Sequence, residues 1–145
     1  MISEDYRKLV ELVQLEQLAL TELQHRRVES ELRVPLTVST EFRVEPVTVE
    51  PGRLVARAYF DFRAKPVAPE DGDEEPQVEI RMVWRVQYAL QNPGDVELDI
   101  QVLGPEFLER NVPINVWPFI RETLASLTAK MGAPPYLLPA LRIVR

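Results

Sequence analysis

A chain of 145 residues with a net charge of −6 and a pI near 4.9 is long enough for one domain with a real core. Its acidity argues against nucleic acid, whose phosphates are met by clustered Lys and Arg. It has no cysteine and a single histidine, His25, so disulfides, thiol nucleophiles and Cys/His zinc sites are excluded by inventory.

MISEDYRKLV carries no basic n-region followed by an apolar h-region, and no apolar run reaches about 18 residues. The sequence therefore predicts a cytoplasmic protein without membrane insertion. From Tyr6 to Leu23 the Leu, Glu, Gln and Ala content favours helix. We assign a helix from about Ser3 to Leu12; the stretch that follows has a second reading, taken up below.

Thr40 to Val49, Arg53 to Ala64 and Val78 to Leu90 alternate with period two and are rich in Val and aromatic residues, the pattern of half-buried strands. In the second, Leu54, Ala56, Ala58, Phe60 and Phe62 oppose Arg53, Arg57, Asp61 and Arg63. In the third, Ile80, Met82, Trp84, Val86 and Tyr88 oppose Glu79, Arg81, Arg85 and Gln87. One sheet face is thus expected to be buried under helices and the other wet, as in an antiparallel sheet. Glu50-Pro51-Gly52 signals a tight turn, and Lys65 to Gln77 reads as a solvated loop. The acidic run Glu70, Asp71, Asp73, Glu74, Glu75 lacks the spaced ligands of a calcium loop and serves solvation.

Asn92-Pro93-Gly94-Asp95 is a further turn. Val96, Leu98, Ile100 and Val102 then alternate with polar residues and predict another strand, ended by Gly104 and Pro105. Phe107 to Asn111 is expected to make a short helical turn. The main helix is expected to start at Asn115 as N-cap, with Pro118 in its first turn, where the missing N–H has no intrahelical partner. Trp117, Ile120, Leu124, Leu127 and Met131 form its apolar stripe. Gly132 can take the left-handed conformation after the last turn, and Pro134 and Pro135 forbid continuation. Tyr136 to Leu141 is an apolar extended segment that needs a core or a partner to cover it. The order of short helix, strands and long helix predicts a single α+β domain over residues 1–145.

No catalytic constellation is found. His25, between Gln24 and the cations Arg26-Arg27, reads as a surface or strand-edge histidine rather than a general base; no Gly-x-Ser-x-Gly occurs, and no glycine-rich loop precedes a helix. No enzyme activity, metal site or cofactor is expected.

The run from Phe107 to Leu138, FLERNVPINVWPFIRETLASLTAKMGAPPYLL, resembles a segment of the SecB export-chaperone family, in which an aromatic-Pro-aromatic-x-Arg-Glu element opens the long helix and a Gly-x-Pro-Pro loop follows it. The matching residues are Trp117, Pro118, Phe119, Arg121, Glu122, Gly132, Pro134 and Pro135. Val13-x-Leu15-x-x-Leu18-x-Leu20-x-x-Leu23 is also similar to the first strand of that family. On this ground we assign a strand to about Val13 to Val28 against the local propensity, since tertiary context can override it.

The resemblance implies an antiparallel sheet with a long helix on one face and a short N-terminal helix. It also implies a molecular chaperone that holds unfolded polypeptide clients in apolar grooves, soluble or competent for export and delivery. The groove is assigned to Phe42, Val44, Trp117, Phe119, Tyr136, Leu137, Leu138 and Leu141. Family members form dimers of dimers, and the small residues Thr123, Ala125, Ser126 and Ala129 are assigned to the homo-oligomer interface. The sequence ends at Arg145, with no counterpart of the second long helix and acidic tail of export-type SecB proteins, which puts docking to SecA in doubt. The features are closer to SecB-like chaperones of toxin–antitoxin systems. The alternatives from other classes are an adaptor that docks one folded partner, and a small-molecule or lipid site under the helix.

Overall fold

Ser3 begins the first element: its hydroxyl accepts from the Tyr6 N–H at 3.1 Å, the N-cap of α1, Glu4–Leu12. The computed structural model describes residues 3–67, 75–91 and 98–141. After α1 come β1 (Val13–Arg27), β2 (Leu36–Glu50), β3 (Arg53–Pro66), β4 (Val78–Leu90) and α2 (Ile100–Lys130). The strands form one antiparallel sheet in the order β1-β4-β3-β2. The two strands first in sequence are therefore its two edges. The predicted tight turn at Glu50-Pro51-Gly52 joins β2 to β3, and β2 starts at Leu36, earlier than its alternation suggested.

The stretch from Val13 onward is strand. Its leucines follow neither period two nor a helical period, and two irregularities in the β1–β4 register, between Leu15 and Gln17 and between Leu20 and Glu22, explain why. Each bulge adds one residue, so the two-residue gaps at Leu15-x-x-Leu18 and Leu20-x-x-Leu23 return to the same face. Leu15, Leu18, Leu20 and Leu23 thus stand opposite Tyr88, Val86, Trp84 and Met82.

The core lies between the sheet and the helices. Leu54, Ala56, Ala58, Phe60 and Phe62 of β3 are buried, as are Ile80, Met82, Trp84, Val86 and Tyr88 of β4. Burying a large apolar side chain contributes about 1.5 to 3 kcal/mol, so these two rows hold the sheet to its cover. The opposite face is mostly wet and charged, with Val55 the buried exception on β3. Arg81 pairs with Asp61 at 3.4 Å, Arg63 with Glu79 at 3.8 Å and Arg26 with Glu79 at 3.5 Å. Such exposed pairs are each worth little; their role is to keep this face soluble.

The helix differs from expectation at its start. Ile100 and Val102, expected in a strand, are the first turn of a helix of 31 residues. The turn expected at Asn92-Pro93-Gly94-Asp95 and the start of that strand lie outside the described residues, as does most of the acidic loop. Asn115 is not an N-cap but sits in the middle of α2, and Pro105, Pro113 and Pro118 are all inside it. Each proline removes one donor from the helical ladder. Burial overrides that cost. Gly104, Leu108, Val112, Val116, Ile120, Leu124 and Thr128 form an unbroken buried row at steps of four.

On a straight helix such a row turns by about 40° per step, so its partners must change along the way. They do. A Cβ on Gly104 would lie 2.7 Å from Val49 Cγ1 and 3.0 Å from Leu54 Cδ2, so the helix approaches β2 and β3 closely there. Phe107 meets Tyr88 edge-on at 5.0 Å. Asn111 Nδ2 donates to the Tyr6 hydroxyl of α1 at 2.9 Å, and Trp117 reaches Phe42 and Phe60.

The exit is as predicted. Gly132 has φ 78°, and the N–H groups of Gly132 and Ala133 bond to the carbonyls of Ala129 and Thr128. Arg27 of β1 donates from Nε to the Met131 carbonyl at 2.6 Å, a cation at the negative end of α2.

Candidate functional site

The second half of α2, β2 and the segment after the helix build one apolar surface. Phe42 points to the helix-covered face, since it is paired with Phe60, and its ring lies 5.6 Å from that of Trp117. Phe60 meets Trp117 edge-on at 6.2 Å. Phe62 meets Tyr136 at 5.2 Å. Val44, two residues along from Phe42, continues the same row and packs on the core.

The segment from Pro134 is pinned back along the helix by three bonds. The Tyr136 N–H donates to Thr128 Oγ1, Arg121 Nε donates to the Leu138 carbonyl, and Trp117 Nε1 donates to the Pro139 carbonyl, each at 2.9 Å. Thr128 itself donates back to the Leu124 carbonyl at 2.9 Å, so one buried hydroxyl is satisfied twice. Prolines leave this segment few donors of its own, and side chains of α2 supply what it lacks. Neighbours in it part ways: Leu138 is buried, while Leu137 is 73% exposed.

The eight residues predicted for the groove therefore separate. Phe42, Val44, Trp117 and Tyr136 are half-buried and share one surface, Leu138 is its buried anchor, and Leu141 is half-buried at the end of the described segment. Phe119 is elsewhere. It is 51% exposed and sits 6.2 Å from Trp84 of β4, on the other side of the helix from Phe42. Of the predicted interface residues, Thr123, Ala125 and Ser126 are half-buried and Ala129 is exposed.

A second apolar surface was not singled out in the sequence. α2 lies chiefly over β2 and β3, so the β1 leucines extend the core face past its cover. Leu15, Leu20 and Leu23 are exposed on it. Phe119 and Trp84 border this strip, and among the described residues Trp84 Nε1 is buried without a hydrogen-bond partner. Leaving such a donor unpaired costs about 1 to 3 kcal/mol. The available signal was the x-x spacing of the β1 leucines, which places all of them on one face only if bulges intervene.

Tyr88 shows how the helix is keyed to the sheet. Its hydroxyl donates to Asn115 Oδ1 at 2.6 Å, and burial pushes its ionisation well above the ordinary tyrosine range. Asn115 is thus an acceptor inside the helix–sheet contact.

No helix among the described residues is long and apolar enough to cross a membrane. No protein-family model matches the sequence, and no curated protein matches it. Among solved structures, the SecB-like chaperone of Mycobacterium tuberculosis, in complex with a ChAD peptide from the HigA1 antitoxin, is similar with a TM-score of 0.79. The likeness covers 99% of this chain and 100% of that one at 16% identity. A protein of unknown function from Streptococcus agalactiae gives a TM-score of 0.45 at 14% identity, over 88% of this chain and 97% of that one, too low to carry an argument. A four-stranded antiparallel sheet, a long C-terminal helix and a short N-terminal one, matched over nearly the whole chain, make this a SecB-like fold.

Proposed function

We propose that the protein is a holdase chaperone that binds non-native polypeptide along the surface from Phe42 and Val44 over Trp117 to Tyr136, Leu137 and Leu141. Leu138 anchors that surface, and Phe119, beside Trp84 on the other side of the helix, is a separate contact. The observation that carries the reading is the SecB-like fold, and the peptide held by the mycobacterial neighbour supports polypeptide as the ligand. Capture rests on burial of apolar area, at about 25 cal/mol per Å², with main-chain bonds to the open sheet edges as the second source of affinity. No covalent step is involved, so the protein is not an enzyme in this reading. It works in the cytoplasm as a homo-oligomer, with Thr123, Ala125, Ser126 and Ala129 as the face where a second helix approaches. The exposed β1 leucines favour such an assembly.

Light scattering of a chemically unfolded test protein checks the role. Aggregation should be suppressed at a several-fold excess of this chain, and unchanged scattering would sink the reading. Ala125→Glu should lower the mass in sedimentation while the circular dichroism spectrum stays that of the parent; an unchanged mass removes this helix face from the interface.

A second reading is a chaperone dedicated to one antitoxin-like client, favoured by the same neighbour's peptide. A general holdase binds many unrelated unfolded chains and ignores their folded forms. A dedicated one binds a single unstructured client, and an adaptor binds a folded one. Pull-down against both forms of several test proteins separates the three.

A further inference from the structure

On the outer face of β3 and β4, two cross-strand pairs join opposite charges and a third does not. Asp61 faces Arg81 and Arg63 faces Glu79, but Arg57 faces Arg85. Like charges directly opposite one another destabilise a sheet, and the carboxylate opposite Arg57 on its other side, Glu45 of β2, is ion-paired with Arg43 at 3.3 Å. Among the described residues neither Arg57 nor Arg85 has a carboxylate within ion-pair reach. Arg85 Nη1 is held instead by two neutral amides, Gln17 Oε1 at 2.9 Å and Gln87 Oε1 at 2.6 Å.

The pair on one side along the same strands is Tyr59 with Val83, both half-buried; on the other side Val55, fully buried, faces Gln87. The Arg43 guanidinium of β2 lies 3.8 Å from the centre of the Tyr59 ring. Tyr59 and Val83 are thus a small apolar platform with Arg57 and Arg85 before it, Arg81, ion-paired with Asp61, after it, and Arg43, ion-paired with Glu45, over it. These cations gather in a chain whose net charge is −6.

We infer that this platform docks an acidic segment of a partner polypeptide, with a carboxylate bridging Arg57 and Arg85 and an apolar side chain resting on Tyr59 and Val83. Guanidinium forks donate two parallel hydrogen bonds to a carboxylate, and a bound carboxylate offsets the repulsion between Arg57 and Arg85. An extended acidic chain suits a surface that is flat, wet and flanked by further arginines. The site lies on the face of the sheet opposite Trp117 and Phe42, so occupying one surface leaves the other open.

Fluorescence anisotropy of the full chain with a labelled Glu-rich peptide containing one phenylalanine tests the proposal. The peptide should bind at low salt, weaken as salt rises, and outcompete both its Lys-for-Glu counterpart and a single-stranded oligonucleotide. Replacing both arginines, Arg57→Gln with Arg85→Gln, should lower its affinity about tenfold while the melting temperature stays level or rises. A charge-matched control, Arg26→Gln with Arg110→Gln, should change affinity far less. The assignment is overturned if the peptide does not bind, if the two double variants weaken it equally, or if the oligonucleotide binds as tightly.

Discussion

β4 and β1 are neighbours in one sheet and present apolar rows to the same face, yet the row on β4 is buried and the row on β1 is largely open. Trp84 and Leu20 stand directly opposite each other; the first belongs to the core and the second does not. The difference lies in what stands over them. α2 covers β2 and β3, reaches β4 through Phe107 and Phe119, and leaves most of β1 bare. An apolar row in a sequence therefore says which face a strand turns inward, while the cover decides whether that face is core or contact surface.

The largest effect should come from the covered side. Phe60→Ala removes a fully buried ring in contact with Trp117 and should cost about 3 to 5 kcal/mol, read as a lower urea midpoint at unchanged slope. Stability within about 0.5 kcal/mol of the parent, the range of ordinary surface substitutions, would mean that α2 does not rest on β3 as described.

Trp117→Ala should cost less, about 2 to 3 kcal/mol, because its ring keeps part of its surface in solvent and large-to-small losses scale with what was buried. It should also release the segment it pins through the Pro139 carbonyl. Faster amide exchange at Leu137 and Leu138 is the expected sign, and unchanged protection there would show that the other two bonds suffice.

Tyr88→Phe should cost about 1 kcal/mol at neutral pH through the lost bond to Asn115. Its clearer signature is at alkaline pH. Burial raises the folded-state pKa of Tyr88 above its unfolded value near 10, so the neutral phenol's stabilisation is complete below about pH 10 and is lost as pH rises beyond it. The parent should lose stability on that limb and the variant should lose less; parallel curves would exclude Tyr88 as the group responsible.

The smallest effect on the fold should be on β1. Leu20→Ser should change monomer stability by less than about 0.5 kcal/mol, as for other exposed sites, but should lower the sedimenting mass if a second copy covers this strip. A loss as large as that of Phe60→Ala in a parent shown to be monomeric would place Leu20 in the core and erase the contrast between the two strands.

By itself the sequence determined the alternation of β3 and β4, the turn between β2 and β3, the end of α2 at Gly132 and the apolar nature of the segment after it. All of these rest on neighbours within a few residues, where period, missing donors and backbone freedom act directly. The aromatic contacts of the candidate surface were half legible: Trp117 and Tyr136 stood out, whereas nothing local separates Phe119 from them. Only the tertiary structure decided that Asn115 lies inside a helix with three prolines, because the buried row from Gly104 to Thr128 outweighs each missing donor and gains its partners from strands far away in sequence. It also decided that the β1 leucines share a face, since bulges exist only relative to a paired strand. Their exposure follows from where α2 lies, and no local pattern encodes the position of a helix over a sheet.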